Sequence, residues 1–271
     1  MNQREHKFVR HIWDFYAQQG RHTLPWRKTR DPYRICVSEV MLQQTQVDRV
    51  LPKYRAFIEK FPNVETLAHA PLREVLLLWQ GLGYNRRAKM LHECAKEIIT
   101  AHQGSFPRTF KELCALPGIG PYTANAILAF AFKEPVLLIE TNVRSVYLHH
   151  FFHDQTDVSD AELLRYIERT LDVKDPRGWY YALMDYGSDL KRIHGNPNIR
   201  SKHYVKQSAF KGSDRQIRGA LLRILGSAPL TRSGLHKELS QFEDLRIDAQ
   251  LERLCEEGML VKHRRTYALP D

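Results

Sequence analysis

The sequence predicts an all-α body followed by a small α+β domain, and three observations carry that expectation. Apolar residues recur at helical spacing through most of the first 190 positions, and strand signals gather only near the C-terminus. The segments between periodic stretches hold the Pro, Gly, Asp and Thr residues that stop and cap helices. With 271 residues, 43% of them hydrophobic, the chain can bury a sizeable core in one large or two unequal domains.

Taken in order, Phe8, Ile12, Phe15 and Tyr16 share one helical face, as do Val40, Val47 and Leu51, and then Leu91, Ala95, Ile98 and Ile99. The stretches "PWRKTRDPY", "QGSFPRT" and "FHDQTDVSD" break these runs, so residues 1–190 read as one helical domain. From Asp189 onward "DLKRIHGNPNIRSKHYVKQSAFK" turns basic and loses its periodicity, which marks residues 191–212 as a linker or surface wrap. Residues 213–271 then show Ile217, Leu221 and Ile224 on one helix, "PLTRSGLHKEL" on a second, and Ile247, Leu251 and Leu254 on a third that stops at Gly258. The closing "MLVKHRRTYALP" alternates around "HRR" as a short hairpin would. Three helices and a hairpin resemble a winged helix, a fold that serves either DNA contact or protein docking.

Forty-one Lys and Arg against thirty-one Asp and Glu give a formal charge of +10, which suits a polyanion such as DNA or serves solubility alone. Charges interrupt every apolar run well short of the roughly 20 residues that span a bilayer, so a cytoplasmic protein with no membrane partner is expected. Cys36, Cys94, Cys114 and Cys255 lie far apart inside apolar helical patterns. Neither a disulfide framework nor a metal site follows from them.

"LPGIGPYTANAIL", residues 116–128, sets Gly118 and Gly120 directly before a helix. Glycines permit left-handed angles and leave no Cβ in the way, so such a turn can aim free N–H groups and the positive helix end at a phosphate. A plain helical hairpin is the simpler reading of this stretch alone.

With its surroundings, however, this element resembles the helix-hairpin-helix DNA glycosylase superfamily, and its MutY-type adenine glycosylases in particular. The likeness extends through most of residues 8–190. It is carried by "LPWRKTRDPYRICVSEVMLQQTQV", by "LWQGLGYNRRAKML" and by "ALMDYG". The resemblance implies a fold of two helical lobes and a monomeric enzyme acting on double-stranded DNA with a mispaired or damaged base. Glu39 would be the acid that protonates the leaving base, in an apolar setting with Ile35, Cys36 and Leu42 that should raise its pKa. Glu140 would stabilise the positive sugar, with Asn142 either supporting it or capping the next helix.

Tyr122 stands where strand-cleaving relatives carry a lysine, which implies base removal without lyase chemistry; the phenol would bond a carboxylate or phosphate, or merely pack. Gln44 and Tyr84 would enter the base stack as the target flips out, with Gln43 and Thr45 in the minor groove. Trp26 and Arg27 would line the base pocket, although Trp26 suits the core equally. Arg86, Arg87 and Lys89 would contact phosphates or stand in solvent.

The chain departs from the family pattern in three places. Glu140 replaces an aspartate, the four cysteines of the family's iron-sulfur cluster do not follow "ALMDYG", and no domain for reading 8-oxoguanine follows. No cofactor and no metal are therefore expected. Two other functions fit less well: a G:T or G:U mismatch pyrimidine glycosylase, whose substrate needs no acid at Glu39, and a non-catalytic DNA-binding protein on the same scaffold.

Overall fold

The computed structural model describes all 271 residues. The first half holds α1 (Gln3–Gln19), α2 (Pro32–Leu42), α3 (Val47–Lys60), α4 (Val64–His69), α5 (Leu72–Trp79) and α6 (Arg86–His102). There follow α7 (Phe110–Ala115), α8 (Pro121–Ala131), α9 (Thr141–Phe151), α10 (Asp160–Thr170) and α11 (Pro176–His194). The tail comprises α12 (Asp214–Ser227), β1 (Leu230–Thr231), α13 (Arg232–Glu238), α14 (Asp244–Glu256), β2 (Val261–His263) and β3 (Thr266–Ala268). The chain is mostly helical, as expected, and no helix is long and apolar enough to cross a membrane.

Two compact units form, each gathered from separated stretches. The first comprises residues 1–36, 108–115 and 119–206; the second comprises 37–107, 116–118 and 207–271. Division in chain order, with boundaries at 190 and 212, is therefore not how the contacts divide. The basic stretch shows why. Helix α11 continues to His194, and a 3-10 turn over Pro197–Arg200 buries Pro197 and Asn198 against α9. Val158 and Ser201 then pair as an isolated bridge, so residues up to 206 belong to the first unit.

In the first unit, α11 packs on α1, α8 and α9. Helix α1 starts with a capping box between Asn2 and Glu5, and α10 with another between Ser159 and Glu162. Phe8 meets Tyr147 at 5.3 Å in a tilted pair and Trp179 at 6.1 Å edge-on, between ring centroids, in a cluster at the heart of this core.

In the second unit, α6 packs on α4 and α5, and α12 docks on α5. The spacing of Val40, Val47 and Leu51 does not continue one helix: the chain breaks after Leu42, and α3 buries Val50, Tyr54 and Phe57 instead. Gln44 in a left-handed conformation, φ 54°, makes that break. The tail is a winged helix as its pattern predicted. β3 lies between β1 and β2, antiparallel to both, with Tyr267 opposite Leu230 and Lys262. Arg264, at φ 52°, turns the hairpin at "HRR".

One ion-pair cluster fixes the first unit around "ALMDYG". Asp185 Oδ2 accepts from Arg21 N at 2.7 Å and Arg27 Nη1 at 2.6 Å, while Oδ1 accepts from Arg21 Nε at 2.6 Å and Arg27 Nη2 at 2.8 Å. Burial opposes the charge on Asp185, but the bonds and charges of Arg27 and Arg21 outweigh it and hold the pKa below 3.8. A depressed carboxylate contributes stability that is complete above its unfolded pKa and is lost as pH falls toward the folded one. Urea unfolding at neutral pH should find Asp185→Asn less stable by about 3 kcal/mol, because two guanidinium groups lose their counter-charge. The wild-type advantage should shrink as pH drops below 3.8. A variant as stable as the wild type at pH 7 would contradict the role given to this cluster.

Candidate active site

Helix α2 is apolar on nearly all sides, with Ile35, Cys36, Val37, Val40 and Met41 all at most 4% exposed. Such a helix can only be interior. Glu39 sits among them at 4% exposure, a carboxyl carried into the protein by its own helix. The chain leaves α2 through Gln43, Gln44 and Thr45, and that turn is held by one side chain. Arg87 Nη1 donates to the carbonyls of Val40 at 2.6 Å, Met41 at 3.1 Å and Gln43 at 2.7 Å. Its Nη2 donates to Thr45 Oγ1 at 3.3 Å, Leu82 O at 3.3 Å and Gly83 O at 3.1 Å.

Apart from the Thr45 hydroxyl, these acceptors are the carbonyls left over at a helix end, together with those of the turn that precedes Tyr84. The guanidinium also lies 5.5 Å from the ring centre of Trp79 and 5.6 Å from that of Tyr84. Desolvation pulls its pKa down to about 10, which still leaves it charged at neutral pH. Arg87 is thus neither a phosphate contact nor a solvated arginine. It joins the turn bearing Gln44 to the turn bearing Tyr84. Both of those side chains are exposed, and both residues have left-handed backbone, φ 54° and 47°. Non-glycine residues hold such angles at a cost, which is met most often at functional sites.

The two hairpin glycines serve different ends. Gly118 has φ 75°, and a Cβ there would lie 2.5 Å from Met90 Cβ, so its bareness makes room for protein rather than for a ligand. Gly120 N-caps α8 without a side-chain bond, and nothing lies within 4 Å of where its Cβ would be. Gly120 is thus exposed at the start of α8. Tyr122 is half-buried on that first turn.

An extended segment from 133 to 140 leads from α8 to Glu140 and is held at three points. Asn125 Nδ2 donates to Leu137 O at 2.9 Å, and the Tyr180 hydroxyl donates to Val136 O at 2.7 Å while accepting from Leu138 N at 3.0 Å. Glu140 is itself the N-cap of α9. Its Oε1 accepts from the backbone N–H groups of Asn142 at 2.7 Å and Val143 at 2.9 Å, and Oε2 accepts from Asn142 Nδ2 at 3.3 Å. The capping reading of Asn142 is corrected by this geometry: Asn142 supports the cap from the helix's second position.

Burial raises the pKa of Glu140 above 4.5, against the pull of those two N–H bonds and of the Lys191 and Arg144 charges. The start of α9 is further fixed by residues the sequence did not single out. A Cβ on Gly187 would fall 2.3 Å from Asn142 O, so only glycine lets α11 pass this close. Asn198 Nδ2 donates to Thr141 O at 3.1 Å and Ser145 Oγ at 2.6 Å. The pattern carried a signal for Gly187 alone, as the last residue of "ALMDYG".

The remaining site candidates are placed as follows. Trp26 is core at 3% exposure. Arg27 borders a cleft of about 480 Å³ with Lys28, Arg30 and Lys133, but its guanidinium is taken by Asp185 and lies 4.4 Å from the Tyr181 ring centre. A base-pocket role for Arg27 does not fit that engagement. Lys89 Nζ donates to Glu257 O at the end of α14. Arg86, at the start of α6, stands exposed.

Comparison with known proteins gives a consistent picture. Residues 37–170 match the family described as HhH-GPD superfamily base excision DNA repair protein. The chain is 38% identical to an adenine DNA glycosylase of Buchnera aphidicola subsp. Baizongia pistaciae, an alignment covering 75% of this chain and 60% of that protein. It is 37% identical to an adenine DNA glycosylase of Mycolicibacterium smegmatis, covering 81% of this chain and 82% of the relative. Among solved structures, a thermostable thymine-DNA glycosylase matches with a TM-score of 0.64 at 27% identity, over 72% of this chain and 91% of that one.

The Arg87 junction makes a direct prediction. Arg87→Lys keeps a charge but cannot reach carbonyls on both turns, so buried acceptors lose their donors. The variant should be less stable by about 2 to 3 kcal/mol in denaturant unfolding. Hydrogen exchange should quicken at Gln44 and Tyr84 before it quickens in α1 or α11. Uniform exchange across the chain would show that Arg87 does not hold these turns.

Proposed function

We propose that this chain, which belongs to the HhH-GPD superfamily of base excision DNA repair proteins, removes adenine from A:G or A:8-oxoguanine mispairs in duplex DNA by hydrolysing the N-glycosidic bond. The observation that carries the reading is Glu39, a carboxyl at 4% exposure five residues before the exposed, left-handed Gln44. Adenine is a poor leaving group. A proton from the Glu39 carboxyl to N7 of the base lets the bond between C1′ and N9 break, its electron pair leaving with adenine. The sugar is left oxocarbenium-like, and the Glu140 carboxylate offsets that charge. Water then adds to C1′, loses a proton, and completes an abasic site. A thymine or uracil substrate would give Glu39 no N7 to protonate, which is why adenine is preferred to the activity named for the similar thymine-DNA glycosylase.

Duplex DNA is approached at exposed Gly120, where α8 begins, and through exposed Arg86, in keeping with the charge of +10. The work would be done in the cytoplasm, by a monomer. The family's iron-sulfur cluster does not fit this chain. A cluster needs four thiolates, and only Cys255 follows α11; Cys36, Cys94, Cys114 and Cys255 lie on four different helices. Asn198 and the bridge of Val158 to Ser201 anchor the segment instead.

Single-turnover assays on A:G duplex test the chemistry. Glu39→Gln should slow base release by on the order of 10² or more with little change in affinity. Glu140→Gln should be similarly impaired, whereas Glu140→Asp should stay active, because aspartate caps a helix as well as glutamate does. The acid limb of the wild-type pH profile should lie above 4.5, where the raised carboxyl of Glu140 takes up its proton. Unaltered rates in both Gln variants would remove this assignment.

Tyr122 offers no amine to attack the sugar, so the product should be an abasic site in an intact strand, and the purified protein should be free of iron. Borohydride trapping of a covalent adduct in good yield would contradict the first expectation. Stoichiometric iron would contradict the second.

A further inference from the structure

Within the first unit, the cleft of about 480 Å³ gathers cations that nothing neutralises. Lys28, Arg30, Lys133 and Lys174 lie on its walls, all four are exposed, and none of them forms an ion pair. Asp175 is the sole carboxylate on those walls, and its Oδ1 is taken by the N–H of Gly178 at 3.1 Å, where it caps α11.

Three stretches of chain bring these cations together, and Arg177, at 8% exposure, ties the stretches to one another. Its Nη1 donates to Phe130 O at 2.9 Å, and its Nη2 to Arg27 O at 2.8 Å and Thr29 O at 2.6 Å. Lys28 stands between two of those carbonyls, Lys133 follows the third just past the end of α8, and Lys174 precedes Arg177 itself. A buried side chain thus holds like charges round one concavity, where they repel one another. Lys133 adds to the cost. It has φ 59° just past the C-cap of α8, a place where glycine is the usual residue.

A cleft lined by one sign of charge focuses its field on a ligand of the other sign. We propose that this cleft binds a compact run of phosphate groups. A phosphate carries at most about two negative charges at neutral pH, so four cations call for two or three in succession. The Thr29 hydroxyl, which accepts from Asp31 N at 3.1 Å, keeps its hydrogen to donate. An acidic peptide spreads its charges along a backbone too long for such a cleft. The site is distinct from that of Glu140, because α11 runs about 14 Å from Gly178 on the cleft wall to Gly187 beside the first turn of α9. A DNA strand and a free polyphosphate offer the same chemistry, and the test separates them.

Calorimetry of the full chain with sodium tripolyphosphate reads the site without DNA, so the result stands apart from the proposed glycosylase activity. Wild type should show saturable binding. Lys174→Gln and Lys133→Gly should each lose about tenfold in affinity, while Lys237→Gln, at an exposed lysine of α13, should lose nothing. Glycine suits the left-handed angle, so Lys133→Gly should unfold no earlier than the wild type, and its loss of binding cannot be laid to misfolding. Tetraglutamate should bind more weakly than tripolyphosphate. Absence of saturable binding, an equal loss in Lys237→Gln, or tetraglutamate bound as tightly would overturn the inference.

Duplex DNA titrated into the same variants identifies the source of the phosphates. A matching fall in duplex affinity, with tripolyphosphate displacing the duplex, supports the site with a DNA strand as its ligand. Unchanged duplex affinity, with both ligands bound together, supports it with a free polyphosphate.

Discussion

The six hydrogen bonds donated by Arg87 are the constraint on which the C-terminal end of α2 depends. A helix that ends inside a protein leaves carbonyls needing donors, and a turn that follows at once cannot supply them all. Arg87 supplies them from the next structural layer, and in the same act ties down the turn before Tyr84. Glu39 lies one helical turn before the carbonyl of Gln43 that receives one of these bonds. The position of Glu39 and the positions of both exposed side chains are therefore set by one half-buried cation. Because five of its six acceptors are backbone oxygens, it holds these turns without a counter-ion from the site.

A comparable economy holds at Glu140. The carboxylate caps α9 and is the sugar-side group of the proposed reaction, so one side chain has two demands on its oxygens. The bonds it accepts draw it toward ionisation while desolvation resists, and burial has the larger effect. The longer side chain in place of the family's aspartate is accommodated by the same pair of N–H groups that an aspartate would use. What secures the arrangement is outside the chemistry: Gly187 and Asn198 pin the first turn of α9 from two sides.

Much of this was legible in the sequence, for particular reasons. Helices α1 and α6, the hairpin and the winged helix follow from periodicity and stop signals, which depend on near neighbours alone. Glu39, Gln44, Tyr84 and Glu140 stand out as candidates because they sit in recognisable local strings. The misreadings involve long-range partners. Arg87 and Lys89 look like solvent-facing cations beside Arg86, and nothing nearby reveals that carbonyls at 40 to 43 or at 257 will meet them. Arg27 is similar, since Asp185 lies 158 positions away. The break after Leu42 was hidden because Val40, Val47 and Leu51 keep helical spacing across it. Gly118 and Gly120 look equivalent as letters, and only the presence of Met90 beside the first separates their roles.

Helix α12 comes within reach of α5 because Gly226 has no side chain: a Cβ there would lie 2.7 Å from Leu77 Cδ2. Arg73 Nη2 donates to Gly226 O at 2.9 Å across the same seam. The winged helix is thus mortised into the unit that carries Glu39 rather than strung after it. A replacement module grafted onto residue 212 would leave Leu77 and Arg73 facing an empty socket, so such a chimera would have to be redesigned along α5 as well as at the splice.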